Sequence, residues 1–164
     1  TAADLIADHY AGDTDAARGL LDVVKTRDKE RPGRNSAEET DLAADLAHFL
    51  ACFARLGVRA LAKELDPFFR HRHSDVCGSA LEAAEKLRSK DLIDPLIQVL
   101  AEAEKMKAWK PDSGSGAGTV DDRKGLLMSG AQSAMEATTR QKHANSQAWK
   151  KWWDANRASF KAPD

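Results

Sequence analysis

Several groups of side chains have the types and spacing to do chemistry. His71-Arg72-His73, with Arg70 before it and Asp75 after it, is the densest run of titratable groups. Two imidazoles near a carboxylate can hold a metal, and the arginines can hold an anion. No third ligand stands at helical i, i+4 spacing, however, and HExxH is absent. A solvated turn between helices is therefore the plainer expectation. His48 and Cys52 share a helix face at i, i+4, as a metal pair or an activated thiol would. Beside Phe49 and Phe53, a cysteine more commonly serves as a small core residue.

Trp149-Lys150-Lys151-Trp152-Trp153, together with Trp109-Lys110, interleaves basic and aromatic groups. Grooves for single-stranded nucleic acid do the same, because bases stack on rings while lysines meet phosphates. Charge is distributed in a way that suits this reading. Residues 1–104 carry 14 basic against 20 acidic groups, and residues 105–161 carry 11 against 5. The competing reading is a capping helix, with Trp149, Trp152 and Trp153 at core spacing and the lysines outside. Glu82, Glu85 and Glu136, with Gln132, fall on polar sides of helices. They mark either a docking face or an ordinary solvated one.

No nucleophile elbow and no carboxylate pair in an apolar setting is visible, so no catalytic residue, cofactor or metal is predicted. The Gly-Ser stretch near residue 115 follows a helix and lacks a closing Gly-Lys-Ser/Thr, so it is not a phosphate cradle. Cys52 and Cys77 do not form a disulfide framework. In the repeat register described below they are offset by ~9 Å of helical rise and ~9 Å between axes, beyond disulfide reach.

The scaffold that must position these groups is helical. The chain has 164 residues, 25 Lys plus Arg against 26 Asp plus Glu, and a net charge of -1. That balance does not suit a dedicated nucleic-acid or membrane-surface protein. With 42% hydrophobic and 31% charged residues it reads as one globular domain over residues 1–164. Its longest apolar run, Phe49 to Ala54, is too short to span a membrane. Alanine (29) and leucine (16) far outnumber valine (6) and isoleucine (3), which favours helix over sheet. The numbering begins at Thr1, as a mature product or an excised domain would. A cytoplasmic location is only the default, and an exported fragment is left open.

Cap signals and apolar stripes place the elements. A short helix covers Leu5 to Tyr10. Asp13-Thr14-Asp15 offers cap groups for a second helix that runs to about Thr26. Pro32-Gly33 marks a turn. Ser36 and Glu39 stand in capping-box spacing before a stripe of Leu42, Leu46, Phe49, Leu50, Phe53 and Leu56, which Gly57 ends. The next helix carries Val58, Leu61, Leu65 and Phe68, with a kink or break predicted at Asp66 ahead of Pro67. Ser74 and Asp75 are expected to cap a helix running to Leu87. Another helix covers Leu92 to Ala103, with Pro95 in its first turn. Residues 109–120 read as a flexible insertion. A helix from Asp121 or Asp122 runs to Thr138, and a last one from Ser146 presents Trp149, Trp152, Trp153 and Phe160.

A shift of 31 residues superposes these hairpins. Leu46 falls on Cys77, Leu50 on Leu81, Phe53 on Ala84, Leu56 on Leu87, Leu61 on Leu92, Leu65 on Leu96 and Phe69 on Leu100. The match crosses the turn, so a whole two-helix unit is repeated.

The segment Asp75-Val76, Ala80, Ala83, Leu87, Asp91, Pro95-Leu96-Ile97 and Leu100 resembles the short HEAT-like repeat of phycobilin lyases and bacterial scaffold proteins. The family's Arg after Asp-Val is Cys77 here, and its Gly is Glu85. That Arg usually pairs with Asp groups of a neighbouring repeat. Residues 137–156 are similar to the tail that closes some bacterial HEAT-like proteins. Ala148-Trp149, Trp152-Trp153 and Asn156 match it, with Arg140 where that tail has Gly. The resemblance implies an all-α solenoid of about seven or eight helices in stacked antiparallel hairpins. Its concave layer would be the helices near 39–56, 75–88 and 122–139.

The function expected from this architecture is non-catalytic scaffolding. The partner would be another protein or another domain of a larger chain, docking near His48, Glu82, Glu85, Gln132, Glu136 or the Arg70–His73 turn. The alternative is a nucleic-acid-binding repeat module using Lys150 and Lys151. An accessory lyase subunit is a third reading, resting on the fold analogy alone.

Overall fold

A computed structural model of the chain describes residues 1–30, 36–107 and 123–162. Among these residues the fold is all-α, without a strand. Its α-helices are α1 (Ala2–His9), α2 (Thr14–Arg27), α3 (Ala37–Leu56), α4 (Ser74–Leu87), α5 (Ile93–Lys105), α6 (Arg123–Thr139) and α7 (Ser146–Asn156). A 3-10 helix, Arg59–Arg70, joins α3 to α4, and a 3-10 turn, Lys90–Leu92, leads into α5. The Pro32-Gly33 turn, the 109–120 insertion, Trp109-Lys110 and the start at Asp121 or Asp122 lie outside the described residues.

Local chemistry explains most of the boundaries. The Asp13 carboxylate accepts from the Asp15 and Ala16 amides and starts α2. The Ser36 hydroxyl accepts from the Glu39 amide at 3.1 Å and starts α3. Gly57, at φ 71, ends α3 in the left-handed conformation that costs glycine nothing. The amide of Gly12 then donates to the Leu56 carbonyl at 2.6 Å and satisfies one acceptor at that helix end. At α4 the cap position belongs to His73, without a side-chain cap bond. Ser74 and Asp75 sit one step further in. There the Asp75 carboxylate still meets the positive end of the helix dipole.

Pro67 has a larger effect than a kink. The segment winds as 3-10 helix without a break from Arg59 to Arg70. A proline ring within an α-helix strikes the carbonyl four residues back. Ala62, Leu65 and Phe68, all buried, recur every third residue. On a helix of three residues per turn they form one straight row against the core. The steps of three thus fit the tighter helix, and the expected break at Asp66 does not occur.

The helices pack in two files. α3, α4 and α6 lie side by side in the first. α2, the 3-10 helix, α5 and α7 follow one another in the second. The first three members of the second file also pack on the first, α2 on α3, the 3-10 helix on α4, and α5 on α6. α1 covers the free side of α3. This is serial packing of the kind a helical-repeat stack requires. α4 is sandwiched between α3 and α6, which is why its interior is crowded with small residues. Val76, Cys77, Ala80, Ala83 and Ala84 are all buried. Cys52 and Cys77 are buried and are not joined in a disulfide, as the register predicts.

The second file has its own polar ladder. Lys25 on α2 meets Glu64 at 2.7 Å. Arg70 reaches Glu102 on α5 at 2.9 Å and Asp66 at 2.8 Å. Glu104 on α5 accepts from the Ser146 amide at 2.8 Å and its hydroxyl at 2.5 Å, so α5 helps to cap α7. Cys77 takes no part in this ladder, and its thiol donates to the His71 carbonyl at 2.9 Å.

Candidate functional site

The open ground on the first file is a groove between α4 and α6. Gly78, Leu81, Glu82 and Glu85 from α4 face Leu126, Ser129, Gly130 and Ser133 from α6. Each set has the spacing i, i+3, i+4, i+7, so each is one stripe of a helix. The groove encloses about 220 Å³.

Glycine makes the close approach possible. A Cβ on Gly130 would lie 2.7 Å from Leu81 Cδ1 and 3.1 Å from Leu81 Cβ. Leu81 therefore seats directly against the α6 backbone. Gly78 receives Leu126 more loosely, at 3.6 Å from an added Cβ. The two leucines form an apolar floor, and Ser129, Ser133, Glu82 and Glu85 line the walls. Among the described residues neither Glu82 nor Glu85 has an ion-pair partner. The groove therefore combines an apolar floor, two hydroxyls and two uncompensated negative charges.

The remaining candidates lie elsewhere. Gln132 and Glu136 are half-buried on α6 outside the groove, and Glu136 takes Lys142 at 3.3 Å. Arg70 belongs to the outer ladder. Its guanidinium is held charged above its ordinary range, chiefly by the Glu102 hydrogen bond.

The His71-Arg72-His73 turn differs from the solvated turn expected of it. The His71 side chain is only 10% exposed, and its Nε2 lies 2.8 Å from Asp28 at the end of α2. Its Nδ1 accepts from the His73 amide at 3.2 Å. That pattern suits a neutral ring with its hydrogen on Nε2. Burial pushes the His71 pKa down, and the Asp28 charge offsets part of that push. His73 and Arg72 both approach the buried Glu39 carboxylate, at 3.2 and 3.4 Å. Arg123 donates to the His71 carbonyl at 2.6 Å. The turn is thus a junction joining α2, α3, α4 and α6.

The tryptophan helix behaves as a closing element. Trp149 is fully buried and Trp153 nearly so. His143, Trp152 and Phe160 pack against them edge to face, and Trp152 stacks on Trp153, with centroids 4.6 to 6.2 Å apart. Trp149 and Trp153 are thus taken into the core, while Trp152 and Phe160 stay partly exposed. Lys150 pairs with Asp154 at 2.9 Å, and Lys151 is exposed.

His48 and Cys52 do meet, at 3.7 Å between Nε2 and Sγ, and Asp4 of α1 joins them. Sequence spacing pairs the first two. Asp4 could not have been found that way, because only the docking of α1 on α3 brings it in. Burial, followed by the Asp4 charge, pushes the Cys52 thiol pKa up, so the thiol is not activated.

Comparison with known proteins gives no match, whether to a family model, to a curated protein or to a solved structure. Function therefore has to be argued from the fold and the groove. No helix among the described residues is long and apolar enough to cross a membrane.

Proposed function

We propose that this chain is a non-catalytic helical-repeat module of the HEAT-like kind that docks a basic segment of another protein, or of a longer chain, along the α4–α6 groove. The observation that carries this reading is the pair Glu82 and Glu85, unpaired above a glycine-thinned apolar floor. A segment with two cationic side chains at i, i+3 spacing would match their separation along α4. Its small apolar residues would reach the floor beside Leu81 and Leu126. Serial stacking supports a binding role, because it creates extended surface without assembling reactive groups. Burial of Trp149 and Trp153 in the core weighs against the nucleic-acid alternative.

Fluorescence anisotropy of a labelled amphipathic peptide with Lys at i, i+3 tests the proposal, alongside labelled single- and double-stranded DNA and RNA. Peptide binding that weakens with added salt is the expected result, since exposed charge pairs are screened. Flat peptide traces together with saturable nucleic-acid binding would reverse the assignment.

A further inference from the structure

The cluster where α1 meets α3 lies far along the first file from the groove, and its chemistry is different. Asp4 Oδ1 is 3.7 Å from Cys52 Sγ, His48 Nε2 is 3.7 Å from the same sulfur, and Asp4 Oδ2 is 3.3 Å from His48 Nε2. One ligand atom from each residue lies within 4.8 Å of the others. In tetrahedral zinc sites sulfur sits at ~2.3 Å and nitrogen or oxygen at ~2.0 Å from the metal. Those lengths give edges of roughly 3.5 Å for S···N and S···O and roughly 3.3 Å for N···O. The side chains thus stand close to one face of such a tetrahedron. A carboxylate binding through both oxygens, or turning slightly about its last torsion, completes that face.

The surroundings fit a metal as well. Cys52 is buried at the base, while His48 and Asp4 are about one-third exposed, at 38% and 34%. A cation can enter from solvent and keep water as a fourth ligand. Thr1 Oγ1, 3.0 Å from His48 Nε2, borders that open side. Arg55 donates to Asp4 at 3.0 Å and also to Asp8. With a divalent ion present, the Asp4 carboxylate and a Cys52 thiolate neutralise the metal, Arg55 and Asp8 neutralise each other, and the Thr1 ammonium, now 3.0 Å from Asp4 Oδ2, turns to solvent.

We propose that Asp4, His48 and Cys52 form a three-ligand site for a divalent cation of the zinc type, which pins α1 onto α3. Binding breaks the S–H bond of Cys52. The proton leaves to solvent, and the sulfur electron pair goes to the metal. His48 donates its Nε2 lone pair and Asp4 its carboxylate. No oxidation occurs. Affinity rises with pH, because thiol and imidazole must both give up protons to bind.

The test uses the reduced, chelator-stripped chain titrated with Co²⁺ and then Zn²⁺. The expected result is one equivalent of Co²⁺ with a thiolate-to-cobalt charge-transfer band that Zn²⁺ removes. Cys52→Ser abolishes the band and Cys77→Ser keeps it. Asp4→Asn and His48→Gln weaken Zn²⁺ binding by more than the ~10-fold that even an outer-shell partner costs. These two half-exposed positions serve if Cys52→Ser does not fold, as judged by circular dichroism. A wild-type chain without the band, a band that survives Cys52→Ser, or Zn²⁺ affinity indifferent to Asp4→Asn and His48→Gln overturns the site.

Discussion

The second file of the stack and the α4–α6 groove treat their charged side chains differently. Along α2, the 3-10 helix and α5, cations meet anions of the next helix, as in Lys25–Glu64 and Arg70–Glu102. On the α4–α6 side, Glu82 and Glu85 stand over the groove without such partners among the described residues, and the space above Leu81 and Leu126 is open. Both files are held by the same kind of leucine and alanine core. The difference is therefore not needed for folding. The proposed docking at the α4–α6 groove rests on this difference.

The largest effect expected in testing that contrast is at the groove floor. Gly130→Ala forces Leu81 or the α6 backbone to move, and overpacking of this kind costs ~1–3 kcal/mol. Gly78→Ala meets only ordinary contact and gains helix propensity, so it should be neutral or stabilising by up to ~1 kcal/mol. Urea denaturation of the two variants checks the pair. Equal effects would mean that the two glycines do not have separate roles in shaping the groove.

A change away from both faces should act in the opposite direction. Arg140 ends α6 at φ 59, in left-handed space. That conformation costs a non-glycine residue ~1–2 kcal/mol. Arg140→Gly should raise stability by about 1 kcal/mol, read as a higher denaturation midpoint with an unchanged slope. The smallest effect belongs to the ladder. Arg70→Gln should cost no more than ~1 kcal/mol, because half-exposed ion pairs contribute little and salt screens them. A larger, salt-independent loss would show that the outer side depends on its charges more than its core.

Much of the fold was legible in the sequence because local signals and long-range packing agree. Asp13, Ser36 and Gly57 act as caps and stops where their chemistry says they should. The 31-residue register pairs α3 with α4 and the 3-10 helix with α5, which are neighbours in their files. The 3-10 winding was not legible, because Ala62, Leu65 and Phe68 at steps of three suit either helix type. Arg140 is more instructive. The similar bacterial tail has Gly there, and the backbone keeps the glycine-like conformation with Arg in place.

The candidate site was only half legible. Glu82 and Glu85 stood out as polar positions on an expected inner layer. Their neighbours Ser129, Gly130 and Ser133 did not, since only the parallel seating of α6 against α4 brings them opposite. His71 misled for a related reason. A histidine in a turn looks solvated until Asp28 and Arg123, from two other helices, close over it.

The most direct test of the groove assignment is a charge swap. The account predicts that Glu82→Lys/Glu85→Lys loses the lysine-bearing peptide by more than tenfold, an effect larger than the ~1.4 kcal/mol that tenfold represents. It also predicts that the double variant gains binding to the same peptide with Glu in place of Lys, at unchanged thermal stability. Lysine-peptide affinity that stays the same in the folded double variant would contradict it.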